Sequence, residues 1–394
     1  MFFSLALILL CSLLLSGIFS KFRIPGLLGM LLVGILFGPH AFNLISTEIL
    51  DISDELRGIA LIIILLRAGL ALDLKDLAKV GRPSILMCFV PAMFELVAVT
   101  LLAPLIFGVS YLEAAIMGAV LAAVSPAVIV PRMLNLMKNK FGTAKNIPQL
   151  VMAGSSVDDI FVIVVFTALI GMYKGGSFDT VSLLAIPVSI LSGLVLGVAT
   201  GRLLLIFFKK FKVKDAVELL IILSTAFLFV SLETAVKGYF PVSGLLAVMA
   251  LGGTILKYNE KLAARISSKF SKLWVGAEIL LFVLVGAIVN VRDFSSAGVL
   301  ALLLIFGALA FRILGVFTAL LKTKLNRKER LYCAISYVPK GTVQAAIAAI
   351  PLSAGVASGN LILSVAVLAI IITASVGALA MDFSYKSLLT QEKL

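Results

Sequence analysis

Two adjacent aspartates, Asp158 and Asp159, interrupt an otherwise apolar run that continues as IFVIVVF. Like charges this close resist simultaneous ionisation, so such a pair is suited to holding a proton or a cation. Successive residues of a helix point about 100° apart, which lets one carboxylate face a cavity while the other addresses a neighbouring helix. Ser155 and Ser156 precede the pair, and Ser125 lies in the stretch AVSPAVIVP, where Pro126 and Pro131 break helical continuity and free carbonyl oxygens. Carboxylate, hydroxyl and carbonyl oxygens together suit a hard monovalent cation such as Na+. Asp158, Asp159, Ser125 and Ser155 are therefore the candidate cation- and proton-binding residues, with the metal ion as transported substrate. No cofactor is expected, since no Walker A, GxGxxG or HExxH pattern occurs.

Three further charges lie deep in apolar segments. Glu95 and Arg312 fall at comparable depths in two segments that pair by repeat position, which predicts a buried ion pair tying helices together. Lys340 stands in SYVPKGT, where Pro339 and Gly341 interrupt the helix. There it is placed to neutralise Asp158 or Asp159 when no cation is bound, and an amine, unlike a guanidinium, can also release a proton when desolvated. Arg67 can snorkel to the headgroups from the end of its span, which favours a structural role. His40, the only histidine, is predicted at a span end, away from the aspartates.

The elements that must position these groups are membrane helices. Of 394 residues, 61% are hydrophobic and 13% charged, against about 25% charged in an ordinary soluble domain. Apolar runs of about 20 residues match the length needed to cross a ~30 Å hydrocarbon core. They fall near 2–20, 26–46, 56–73, 84–107, 112–132, 147–171, 181–208, 216–236, 240–256, 273–291, 296–321, 331–352 and 359–383, thirteen predicted spans. Asp158 and Asp159 then sit ~17 Å into the sixth, near mid-bilayer, where an ionised carboxylate costs at least ~2.5–3.5 kcal/mol without partners. The net charge of +13 is carried in short loops, so it implies a membrane surface and not nucleic acid.

Loops after odd-numbered spans, with the C-terminal tail, hold 25 Lys or Arg; those after even-numbered spans hold Arg57, Lys174, Lys237 and Arg292. That bias predicts an external N-terminus and a cytoplasmic C-terminus. The N-terminal run lacks a basic n-region and is read as a retained first span. Cys11, Cys88 and Cys333 are scattered in separate apolar runs, without metal-ligand or disulfide spacing. Six spans either side of the seventh start on opposite faces, as expected of inverted repeats. Pro25-Gly26-Leu27-Leu28 in span 2 echoes Pro241 and Gly244-Leu245-Leu246 in span 9, and the broken span 5 echoes the broken span 12. The predicted fold is an all-α polytopic membrane protein with two inverted six-helix repeats and crossed discontinuous helices 5 and 12.

The stretches IPGLLGMLLVGILFGP (24–39), RAGLALD (67–73), AVSPAVIVP (123–131), GSSVDDI (154–160) and SYVPKGTVQAA (336–346) resemble the monovalent cation/proton antiporter superfamily, above all the NHA-type Na+/H+ antiporters and their bacterial relatives. The resemblance covers nearly the whole chain. It implies exchange of Na+ or Li+ for H+ by an elevator-like movement, with no enzymatic activity. It also implies a homodimer in membrane lipid. A dimerisation domain would comprise 1–80 and 215–294, and a core ion-transport domain 81–172 and 295–384. A linker span would occupy 173–214 and a short tail 385–394. Asp159 takes the place of the principal carrier, Asp158 lies beside it, Glu95 and Arg312 fall on the core salt bridge, and Lys340 falls beside the span 12 break. The bacterial side of the resemblance points to the plasma (inner) membrane of a prokaryote. K+/H+ antiport stays open because a few ligand oxygens do not define a cavity radius. A cation channel or an ion-responsive sensor on the same scaffold would be told apart by channel-level currents or by a signalling partner.

Overall fold

The computed structural model describes residues 1–70, 81–174, 180–211, 213–236 and 240–392, without the side chains of Ser156, 180–187 and 291–297. The end of RAGLALD, Lys237 and the side chains of Ser156 and Arg292 thus lie outside the described residues.

The described residues are almost entirely helical, with one isolated antiparallel β-bridge between Phe141 and Gln391. The first stretch holds α1 (Phe2–Lys21), α2 (Leu27–Phe37), α3 (Thr47–Asp51) and α4 (Ser53–Leu70). Then come α5 (Arg82–Met87), α6 (Val90–Phe107), α7 (Tyr111–Ala122), α8 (Pro126–Lys138) and α9 (Ile147–Lys174). The middle of the chain forms α10 (Thr180–Lys210), α11 (Asp215–Ala235), α12 (Gly244–Tyr258) and α13 (Glu260–Ile288). The last part forms α14 (Val291–Ala319), α15 (Arg327–Ser336), α16 (Thr342–Ile347), α17 (Ile350–Ser353) and α18 (Gly359–Leu388). Helices dominate because each satisfies its own backbone hydrogen bonds, which hydrocarbon cannot do for it.

Among the described residues, nine helical segments are long and apolar enough to cross a membrane: Phe2–Lys21, Arg82–Phe107, Tyr111–Lys138, Ile147–Lys174, Val188–Lys210, Asp215–Ala235, Glu260–Ile288, Gly298–Ala319 and Gly359–Leu388. Leu27–Phe37, Gly244–Tyr258 and Thr342–Ser353 are shorter apolar helices. The 18-residue α4 carries Asp54, Glu55, Arg57 and Arg67, which lower its hydropathy.

Two compact units make up the chain. One comprises Asp54–Leu72 and Ile170–Leu280. Within it, α10 and α11 pack on α12. The Arg67 guanidinium lies 5.4 Å from the Trp274 ring. Arg265 pairs with Glu218 at 3.0 Å and with Asp215 at 3.6 Å.

The other unit comprises Met1–Ser53, Asp73–Leu169 and Leu281–Leu394, and it holds all the deep charges singled out above. Here α6 packs on both α7 and α14. The approach is close because Gly315 of α14 faces the backbone of Pro91, where an added Cβ would stand 2.8 Å from Cα, and Gly118 of α7 faces Leu96. Small residues at such crossings are what association in lipid relies on. Ends are fixed by local chemistry: Ser110 and Glu113 form a capping box on α7, Asn326 and Glu329 one on α15, and Gly108, at φ 69°, ends α6 in the left-handed region.

Candidate functional site

The site is built where two helical runs are interrupted. After α7 the chain turns extended through Ala123 and Ser125, and Pro126 opens α8 at a position where its missing N–H costs nothing. Pro131 lies within α8, one turn further on, and is not at the break itself. In the second run α15 ends at Ser336 and α16 starts at Thr342, leaving Tyr337 to Gly341 between them. The two interruptions are joined directly: the Ser125 N–H donates to the Pro339 carbonyl at 2.8 Å. Pro339 in turn packs against Gly377 of α18, where a Cβ would stand 2.6 Å from the proline Cγ. Freed backbone groups are taken up locally, since the Gly341 N–H donates to Gln344 Oε1 at 2.7 Å and the Lys340 N–H to Thr373 Oγ1 at 3.0 Å. Gln344 also donates through Nε2 to the Ala123 carbonyl, so one side chain clamps both breaks.

Four charges converge on this point. Arg312 of α14 donates from Nη1 to Glu95 Oε2 at 2.7 Å and from Nη2 to Asp158 Oδ2 at 3.1 Å. Its Nε donates to the Tyr337 carbonyl at 2.7 Å, and Nη1 also reaches the Ala122 carbonyl at the end of α7. The Tyr337 ring covers the guanidinium at 5.6 Å. Lys340 Nζ lies 2.7 Å from Glu95 Oε1 and 2.8 Å from Oε2. Asp158 Oδ2 accepts a second bond, from the Val124 N–H at 2.9 Å. Glu95, Arg312, Lys340 and Asp158 are all at most 1% exposed. Such burial is tolerable only because each charge is paired and hydrogen-bonded.

The balance of this cluster has a simple arithmetic: two carboxylates, Glu95 and Asp158, against two cations, Arg312 and Lys340. Asp159, next in sequence, makes no ion pair among the described residues and keeps one oxygen, Oδ1, without a hydrogen-bond partner. At 8% exposure it is the most accessible of the five. An ionised Asp159 leaves one negative charge over, which a proton or one monovalent cation cancels.

The residues chosen from sequence fall into distinct places. Lys340 contacts Glu95 and neither aspartate. The Ser125 hydroxyl is fully buried, without a partner, and faces Gly341, where a Cβ would meet it at 2.5 Å. The Ser155 hydroxyl donates to its own helix, at the Met152 carbonyl, 3.1 Å away. Gln344, Thr373 and Tyr337 were not singled out from sequence. Gln344 was detectable as the residue three past Gly341 in a capping pattern, whereas Thr373 lies in an apolar helix with no local signal. Among the described residues, no group of three or more His, Cys, Asp or Glu is placed to hold a resident metal ion, and Cys11, Cys88 and Cys333 are free.

The profile of the family described as "Sodium/hydrogen exchanger, transmembrane" matches residues 5–382. The chain is 35% identical over 373 residues to human Sodium/hydrogen exchanger 9B2, covering 90% of this chain and 68% of that protein. It is 33% identical over 389 residues to human Sodium/hydrogen exchanger 9B1, covering 93% and 73%. In fold it is similar to the sodium proton antiporter MjNhaP1 of Methanocaldococcus jannaschii, with a TM-score of 0.82 at 21% identity over 98% of this chain and 97% of that one.

One expectation is corrected. Eight curated relatives at 31–35% identity are vertebrate proteins, which overturns the assignment to a prokaryotic plasma membrane. The motifs behind the resemblance are common to animal and bacterial antiporters, and loop charge reports only which face of a bilayer a loop occupies, so neither says whose membrane it is. A membrane location stands.

Proposed function

The chain belongs to the transmembrane sodium/hydrogen exchanger family, and from that premise we propose that Asp159 is the group whose alternate loading with Na+ and H+ couples the two fluxes. The protein is a secondary antiporter and not an enzyme: a gradient of one ion drives movement of the other. The observation that carries the role of Asp159 is the charge balance of the site. Glu95, Arg312, Lys340 and Asp158 neutralise one another, so Asp159 is the carboxylate left to bind a mobile cation. Asp158 serves beside it as a fixed charge, held by Arg312 and the Val124 N–H. Ser125, whose hydroxyl is buried and unpartnered, supplies a further oxygen ligand. Li+ is a surrogate for Na+ on the same oxygen chemistry.

In the cycle, deprotonated Asp159 takes Na+ on one side of the membrane, the loaded core moves, Na+ leaves, and a proton replaces it before the return. An empty, ionised site bears an uncompensated charge that is costly to carry through hydrocarbon. This penalises slippage without exchange. The core is the moving body of an elevator, comprising 81–172 and 295–384, and 1–80 with 215–294 forms a homodimer scaffold. All the site residues belong to one compact unit, which also takes in Met1–Ser53, and this supports a site carried as one piece without marking where the core ends. The nine long apolar segments, the three shorter ones and α4 support thirteen spans, with the breaks at Ser125 and Pro339–Gly341 as the crossed discontinuous helices 5 and 12.

The test is Na+-driven proton movement in proteoliposomes containing equal amounts of folded protein. Asp159→Asn is expected to abolish exchange with its melting temperature retained. Normal exchange by that variant would move the carrier role to Asp158 or Glu95.

A further inference from the structure

Tyr337 is not used by the cycle above, yet its position is unusually constrained. It is wholly buried between α15 and α16, and its carbonyl and ring both hold Arg312. Its hydroxyl lies against α9 at the spot that a Cβ on Gly154 would occupy. Gly154 and Asp158 are four residues apart on α9 and so share one helix face, with Cβ positions about 5–6 Å apart. The hydroxyl is therefore one turn from the Asp158 carboxylate, on its side of the helix.

Three buried polar atoms on the elements that meet at Gly154 have no hydrogen-bond partner: Tyr337 OH, Asp158 Oδ1 and Ser84 Oγ. Ser84 joins the group through α5, since Met87, three residues later, has its Cβ 2.9 Å from the same Gly154 position. A buried polar atom left unsatisfied is costly, and a niche bordered by two to four of them is the usual seat of an ordered water.

We propose that Tyr337 is a positioning residue of the exchange site, whose hydroxyl, through one buried water shared with Ser84, holds Asp158 Oδ1 and fixes the Asp158 carboxylate against Arg312 and the Val124 N–H. The inference rests on the carrier role given to Asp159. By anchoring the second oxygen of its neighbour, Tyr337 keeps a permanent negative charge beside Asp159 and so strengthens cation binding. It touches neither Na+ nor the transferred proton, so it acts on affinity and not on the maximal rate.

Tyr337→Phe keeps the ring over Arg312 and the backbone carbonyl, and removes the hydroxyl alone. Two readouts are compared in full-length protein: the KM and maximal rate for Na+-driven proton movement in liposomes, and the Na+ concentration for half-maximal thermal stabilisation in detergent, with choline chloride holding ionic strength constant. The expected result is a melting temperature in choline close to wild type and an unchanged maximal rate. KM and half-stabilising Na+ concentration should rise together by about three- to tenfold, the factor for one ordinary hydrogen bond. Because the hydroxyl acts through Asp158, Tyr337→Phe should add nothing to the Na+ affinity of Asp158→Asn. Wild-type KM and half-stabilising concentration in Tyr337→Phe would overturn the proposal. So would a fall in melting temperature without a change in KM, or a full additive loss in the double variant. Failure of the underlying reading is distinct: there Asp159→Asn would still exchange and still be stabilised by Na+.

Discussion

At the scale of single residues, the site works by dividing four carboxylate and base groups into a closed set and leaving a fifth outside it. Arg312 uses all three guanidinium nitrogens, on Glu95, on Asp158 and on the carbonyls of Tyr337 and Ala122. A lysine here could not make all of these contacts at once, because a single ammonium does not present donors in a planar fork. Removing one member strands its partners in a dry interior, which costs about 3–5 kcal/mol. Glu95→Gln, which leaves Arg312 and Lys340 against Asp158 alone, is expected to lower detergent stability by about that amount. Arg312→Gln should do likewise, and the double variant should recover part of the loss, since one charge of each sign is then gone. Melting curves for the two singles and the double test this, and strictly additive losses would argue that the 2.7 Å contact between them is energetically idle.

Among the elements, the two interruptions matter more than the helices they divide. A peptide group at a helix break needs a partner, and here each break satisfies the other through the Ser125 to Pro339 hydrogen bond and the Gln344 side chain. That mutual bonding fixes where Lys340 leaves the backbone and hence which carboxylate it meets. The arrangement depends on α18, whose Gly377 admits the rigid Pro339 ring. Gly377→Ala puts a methyl group into an occupied space, and overpacking of this kind costs about 1–3 kcal/mol. The expected outcome is a lower melting temperature together with slower exchange, because displacing Pro339 disturbs the carbonyl that holds Ser125. A variant that melts and exchanges like wild type would mean that the ring moves aside freely. Composition signalled both interruptions, through AVSPAVIVP and YVPKG; the side chains that close them were less visible, and Thr373 had no sequence signal at all.

For the whole molecule, the bias of basic residues predicts that the ends of successive spans alternate between two faces. In the unit that carries the site, Lys138 ends α8 and Lys324 lies in the loop beyond α14, while Val109 and Ala357 lie in the turns before α7 and α18. Single cysteines at Lys138 and Lys324, in a background free of Cys11, Cys88 and Cys333, are expected to react with an impermeant thiol reagent from one face. Cysteines at Val109 and Ala357 should react from the other. Labelling of all four from one side would overturn the alternation and with it the inverted repeats. Membership of the exchanger family constrains the activity at this scale, and the vertebrate relatives correct the choice of membrane.

Polytopic membrane character and family membership were determined by sequence, because both are local properties. Hydropathy depends on composition within about 20 residues, and stretches such as GSSVDDI and SYVPKGTVQAA are contiguous. Burial was likewise legible: counting from span ends put Glu95, Asp158, Asp159 and Arg312 in the interior of their segments, and all four are buried within the fold. What only the tertiary structure decided is the choice of partner. From spacing alone Lys340 could answer either aspartate; in the fold it meets Glu95, Arg312 reaches Asp158, and Asp159 is left over. Charges at one depth in several helices have many possible pairings, and the energy differences among them are set by angstrom-scale approach. That approach depends on how α6 and α14 cross at Gly315 and on where the backbone leaves its helices at Ser125 and Pro339. Neither is written in any one segment of the chain.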